Sequence, residues 1–208
     1  MNKLSLVCQI APLPIVPANW TRLIIKDVGS VDVPPTLELQ KGDYKVYIES
    51  YYAKIEVDAP DVAAQQVGLN DLTKAGFSKY ARVLVNTTYG EVQEFEPLFF
   101  DIDSISAVEV AEIDKSLRSE WQLQCVSNNA RLVQWYPVTL EKLNGMSCLH
   151  LRFRRQIDNK PIVIVDSYFF FNNDRKHELT LSYRENEAEL WEGDFLRVRD
   201  SFRITNIR

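Results

Sequence analysis

An antiparallel α+β fold is what this sequence predicts, and three observations carry the prediction. Between residues 139 and 184, alternating apolar segments succeed one another through short polar turns, "NG", "DNKP" and "NNDRK". Such turns join antiparallel neighbours and leave no room for the helical crossovers that parallel pairing needs. Two further segments, residues 104–121 and 191–202, instead repeat apolar side chains at helical spacing. A chain of 208 residues, 46% of them hydrophobic, is enough for one sizeable core. The reading is therefore one domain over residues 20–208, preceded by an irregular, proline-rich lead-in over residues 1–19.

Taken in order, "WTRLIIKDVGSVDVPP" (residues 20–35) predicts two short strands around a turn at Gly29 and Ser30, closed by Pro34 and Pro35. "YKVYIESYY" (44–52) alternates, which predicts a strand with Tyr44, Val46 and Ile48 on one face and Lys45 and Glu49 on the other. "DVAAQQVGLNDL" (61–72) fits a strand or a helix, ending in a turn at Gly68 and Asn70. Residues 80–90 predict a strand with Ala81, Val83 and Val85 on one side. In the helix over 104–121, Val110, Ile113, Leu117 and Trp121 mark the buried face. Ser106 with Glu109 forms a capping box, and Asp103 and Ser104 are alternative caps. "LVQWYPVTLEKL" (132–143) carries an internal proline, the mark of an edge or bulged strand. After the turn at Asn144 and Gly145, strands over 148–157 and 162–171 form a hairpin, and 177–183 supplies the last strand, with Leu179, Leu181 and Tyr183 on one face. Asn186 then caps the final helix with Glu189 at its third position, and Trp191, Phe195, Val198 and Phe202 form an aromatic stripe on the sheet. Gly193 costs that helix about 1 kcal/mol relative to alanine.

Composition excludes several functions. A net charge of −5 gives no electrostatic reason to bind nucleic acid or anionic membranes. Cys8, Cys125 and Cys148 are widely spaced and include no CxxC pair, which argues for buried thiols in a reducing compartment over zinc or a disulfide framework. The N-terminal apolar run is broken by Gln9 and prolines, and no apolar stretch reaches the ~20 residues that span a bilayer. The expectation is a soluble, cytoplasmic chain with no transmembrane segment. No phosphate loop, dinucleotide fingerprint, nucleophile elbow or HExxH occurs, so no cofactor is expected. Asn19 and Asn86 match the glycosylation triplet, a pattern short enough to arise by chance.

The candidate chemistry is sparse. Cys148 and His150 lie two apart on one strand face and could form a nucleophilic dyad, although no orienting third group is identifiable and a structural role is favoured. The same face continues through Arg152, Arg154 and Gln156 as a polar stripe, with Arg155 opposite or in a local bulge. One reading of the stripe is a solvated face paired with nearby acidic residues. The other is a partner-binding surface of guanidinium forks, built from His150, Arg152 and Arg154. Tyr47 and Tyr51, opposite Val46 and Ile48, are core aromatics if covered and a second partner-binding patch if exposed. Asp101, Asp103, Glu185 and Glu187 stand at helix entrances, where capping and the helix dipole explain them.

The "LTLSY" strand followed by a helix of the form W-x3-F-x2-V-x3-F, with the Trp20 strand and the 104–121 helix, resembles the PsbP-like superfamily. That group includes the photosystem II extrinsic subunit, Ran-binding factors and bacterial DcrB-type proteins. The resemblance implies an α/β/α sandwich, an antiparallel β-sheet flanked by helices on both faces. It implies a non-enzymatic adaptor, assembly factor or chaperone whose partner is another protein, and it transfers no catalytic residue. The alternative is a small-molecule or anion-binding protein with a pocket between sheet and helix. A third reading is an enzyme built on Cys148 and His150.

Overall fold

A computed structural model describes residues 16–54, 59–95 and 106–208. Cys8, Asp101, Asp103 and Ser104 lie outside the described residues. The strands are β1 (Thr21–Ile25), β2 (Gly29–Val33), β3 (Leu37–Leu39), β4 (Val62–Gln66), β5 (Ala81–Tyr89) and β6 (Ala130–Trp135). They continue with β7 (Thr139–Leu143), β8 (Met146–Ile157), β9 (Val163–Phe171), β10 (Arg175–Arg184) and β11 (Arg203–Ile204). The helices are α1 (Gly42–Lys54), α2 (Lys74–Ser78), α3 (Ala107–Ser127) and α4 (Ala188–Ser201). Eight strands form one sheet in the order β3-β4-β5-β10-β9-β8-β6, with β7 also pairing β8, while β1, β2 and β11 form a second sheet. The pairings are antiparallel.

Strand register sorts the side chains of the large sheet into two faces. Rows across one face read Val85, Leu179, Tyr168, His150 and Val83, Leu181, Asp166, Arg152. On this face α4 lays Trp191, Phe195, Val198 and Phe202 into the core formed with Leu179, Leu181 and Tyr183, joined by Val31 and Val33 of the second sheet. These four side chains, with Phe202 just past the end of α4, are 0–3% exposed. Rows on the other face read Asn86, Glu178, Phe169, Leu149 and Leu84, Thr180, Ser167, Leu151. There Leu117 and Trp121 of α3 pack on Val138, Leu149, Leu151 and Phe169. The Trp121 ring lies 5.0 Å from that of Phe153.

Local chemistry accounts for the element ends. The Ser106 hydroxyl accepts the Glu109 backbone N–H (3.2 Å), and Glu109 accepts the Ser106 N–H (2.9 Å), completing the capping box. Asn144 (φ 55°) and Gly145 (φ 86°) both take the left-handed region that a tight β7–β8 hairpin turn requires. Pro137 splits the 132–143 segment into β6 and β7. Asp114 of α3 holds the break by accepting from Val138 N–H and Trp135 Nε1, each at 2.8 Å.

Several expectations are corrected. Residues 44–52 form most of helix α1 instead of a strand. Tyr44 and Ile48 are also i, i+4 neighbours, Asp43 favours the helix start, and Lys45 pairs with Glu49 one turn on (3.5 Å). A strand needs a buried face, yet Val46 is 65% exposed and only Tyr44 is buried among the described side chains here. Gly29 and Ser30 lie inside β2, because the turn falls at residues 26–28. Helix α3 runs on to Ser127, and Ile113 is exposed on it. The partly buried face is Val110, Asp114, Leu117 and Trp121, ending at buried Cys125. Asn186 caps nothing, because a 3₁₀ turn (Glu185–Glu187) leads into α4. Glu187 instead accepts from Trp191 Nε1 (3.0 Å) and the Tyr80 backbone N–H (3.0 Å).

Candidate functional site

The polar stripe on β8 shares a face with the α4 core, and its position on the sheet explains its character. Under α4 that face is apolar; toward β8 it turns polar, through Asp166 to His150, Arg152 and Arg154. His150 lies between two carboxylates. Its Nδ1 is 2.8 Å from Glu141 on β7, and its Nε2 is 2.9 Å from Asp166 on β9. Its ring stacks on Tyr168 at 4.3 Å with 8° between the planes. Burial by itself lowers the imidazole pKa, but hydrogen bonds to Asp166 and Glu141 outweigh it and hold the pKa above the ordinary histidine value.

Asp166 is 7% exposed and also accepts from Arg152 Nη1 at 3.3 Å. The Arg152 guanidinium stands 5.9 Å from the Tyr136 ring. Arg154 donates to Glu185 and to Gln134 Oε1 (2.8 Å), tying β8 to the entrance of α4. Gln156 accepts from Arg131 Nε at 3.1 Å. The stripe therefore forms, and each of its cations has a carboxylate partner within the fold. Arg155 points to the opposite face, as alternation requires. Glu141 and Asp166 were not singled out from the sequence. The two-residue turn at Asn144–Gly145 was the available signal, since it places Thr139 opposite His150 and Glu141 beside it.

The Cys148–His150 pair does not assemble as a dyad. Cys148 is fully buried in the α4 core, and burial pushes its thiol up to about 12. Both His150 nitrogens are engaged by carboxylates. His177 is fully buried against the Thr87 hydroxyl (3.0 Å), and burial depresses its pKa to about 4. Among the described residues, no cluster of His, Cys, Asp and Glu is arranged to hold a metal.

Tyr47 and Tyr51 belong to α1. Tyr47 is 67% exposed; the Tyr51 side chain lies outside the described residues. Beside α1 runs a groove of about 310 Å³ lined by residues of β1, β3, α1, β4 and the segment leading into β4, among them Arg22, Ile24, Leu39, Lys45, Glu49 and Asp61. Among the described residues, strand β1 pairs with β2 alone, and its Arg22, Leu23 and Ile24 line this groove. Ile24 on it is 77% exposed. Among the described residues, no helix is long and apolar enough to cross a membrane.

No family model and no curated protein matches the chain. Among solved structures, it is similar to cyanobacterial PsbP (CyanoP) from Synechocystis sp. PCC 6803. The TM-score is 0.51 at 12% identity, covering 93% of this chain and 95% of that one. It is also similar to LpqN of Mycobacterium tuberculosis, described as involved in cell envelope biogenesis, with a TM-score of 0.48 and 12% identity over 89% and 90% of the two chains. At such identities the likeness is one of fold. The large antiparallel sheet, the aromatic α4 stripe and the likeness to CyanoP agree: this chain has the PsbP-like fold.

Proposed function

We propose that the protein is a non-enzymatic adaptor or assembly factor that binds an extended segment of another polypeptide along the groove between β1 and α1. Its sheet is the middle layer of an α/β/α sandwich, a reading supported by α3 and α4 touching side chains on opposite faces. The observation that carries the function is the edge of β1 that, among the described residues, no other strand pairs. An incoming strand can pair along that edge while apolar side chains meet Ile24 and Leu39, 77% and 44% exposed. Lys45, Glu49 and Asp61 line the same groove and offer both signs of charge for fixing register. The buried, protonated thiol of Cys148 supports a non-enzymatic role. The β8 stripe, with its charges matched internally, serves the framework in this reading.

The test is affinity capture with wild type, Ile24→Asp, Tyr47→Asp and Arg152→Glu at matched folding. Capture of one defined partner by wild type and Arg152→Glu, with loss in Ile24→Asp, is the expected result. Equal capture by Ile24→Asp and wild type would overturn the groove assignment.

A further inference from the structure

On the sheet face that carries Phe153, two rows of side chains at one end read Tyr80, Arg184, Val163, Arg155 and Arg82, Ser182, Val165, Phe153. The Tyr80 hydroxyl lies 3.4 Å from that of Ser182, and Arg155, in the same row, is near enough for its charge to act on that hydroxyl. Arg82 stands 5.7 Å from the centroid of the same ring and 5.8 Å from that of Tyr44. It donates to Gln65 Oε1 and to the Tyr44 hydroxyl, each at 2.7 Å. Tyr80, Arg82 and Arg155 are all half-buried, so the cluster is held by the fold and still open to a ligand.

The charges of two guanidiniums thus act on one phenol, and among the described residues neither forms an ion pair with a carboxylate. Glu187 meets Tyr80 only at the backbone N–H; its oxygens also serve Arg184 and Trp191. Arg155 also approaches Cys125 in the last turn of α3, whose carbonyl end offsets part of one charge. Burial by itself raises the Tyr80 pKa, yet Arg155 and Arg82 pull it below the usual tyrosine range, so the potential at that hydroxyl is positive. A guanidinium has five N–H donors, and Arg82 uses two of them within the protein.

We infer that Arg82 and Arg155, the two cations that act on Tyr80, form a binding site for a phosphate group. A phosphate carries roughly −1.5 to −2 charges near neutral pH, which matches two uncompensated cations, and its several oxygens suit forks arriving from different directions. A carboxylate carries one charge and lies in one plane, and leaves one guanidinium unmatched.

Calorimetric titration of the whole chain with inorganic phosphate, O-phosphoserine and acetate at constant ionic strength tests the site. Saturable phosphate binding is expected, with acetate much weaker. Tighter binding of O-phosphoserine than of inorganic phosphate would identify a phosphorylated side chain as the carrier, and the reverse order a free anion. Arg82→Gln and Arg155→Gln should each weaken binding by about tenfold or more, and Arg152→Gln on the opposite face should leave it unchanged. Circular dichroism monitors folding. If a glutamine variant does not fold, Arg155→Lys, which keeps the charge and loses the fork, should bind more weakly than wild type. Tyr80 ionisation, read as the ultraviolet difference between wild type and Tyr80→Phe, should move to higher pH when phosphate binds. Absence of saturable phosphate binding, acetate binding as tight as phosphate, or undiminished binding in folded Arg82→Gln and Arg155→Lys would overturn the site.

Discussion

The two faces of the large sheet solve the same problem in different ways. Each has an apolar part beneath a helix and a polar part beyond it. On the α4 face, the polar part places His150, Arg152 and Arg154 against Glu141, Asp166 and Glu185. On the other face, the charges of Arg82 and Arg155 act on Tyr80, and Arg82 has the Tyr44 hydroxyl and the Gln65 amide oxygen as partners. The first set of cations is neutralised by the protein and strengthens strand pairing across β7, β8 and β9. The second is left positive, which costs the fold and suits a ligand. An arginine stripe read from sequence is thus not in itself a binding surface; what matters is whether neighbouring strands supply the counter-charge.

The largest effect that separates the faces is expected in their apolar parts. Trp191 is 2% exposed while Trp121 is half-buried. Trp191→Ala should cost ~3–5 kcal/mol and Trp121→Ala clearly less, measured by urea unfolding. Equal losses would mean that α3 and α4 stabilise the fold alike.

The two histidines sharpen the contrast through pH. His177 is held neutral, with its pKa lowered from 6.5 to about 4. The unfolded chain takes up its proton first, so this contribution is present above pH ~6.5 and is lost as pH falls toward about 4, a change of ~3 kcal/mol. His150 has the opposite sign. Its pKa is raised by its carboxylate partners, so its contribution is complete below pH ~6.5 and is lost as pH rises through the folded value. Unfolding against pH should therefore lose its acid slope in His177→Gln and its near-neutral decline in His150→Gln. Identical pH profiles for these variants and wild type would contradict both assignments.

Asp166→Asn should cost ~2–3 kcal/mol, since it removes the carboxylate that His150 and Arg152 share. Arg82→Gln should cost less, because a cation without a carboxylate partner is removed. The smallest effect is a gain. A Cβ at Gly193 meets nothing within 4 Å, so Gly193→Ala should stabilise α4 by about 1 kcal/mol on either background and help to keep the weaker variants folded.

What could be read from the sequence follows the range of the forces involved. Strand β5, the β8–β9 hairpin and the α4 stripe are written in period and turn chemistry within a dozen neighbouring residues, and they form as predicted. Helix α1 was missed because its alternation coincides with helical spacing, and tertiary contact through Tyr44 and Arg82 decides between them. The His150 cluster was half legible: its cations lie on one strand, but its carboxylates come from β7 and β9 and depend on register. The Arg82–Tyr80–Arg155 cluster draws on β5 and β8, which are far apart in sequence and separated in the sheet by β10 and β9, and no local pattern marks it.

Thermal unfolding of wild type, Arg152→Gln and the double variant Arg82→Gln/Arg155→Gln, with and without inorganic phosphate at constant ionic strength, tests the difference between the faces most directly. The expected result is a phosphate-dependent rise in melting temperature for wild type and Arg152→Gln, and none for the double variant. An equal rise in all three proteins, or a rise abolished by Arg152→Gln alone, would contradict it.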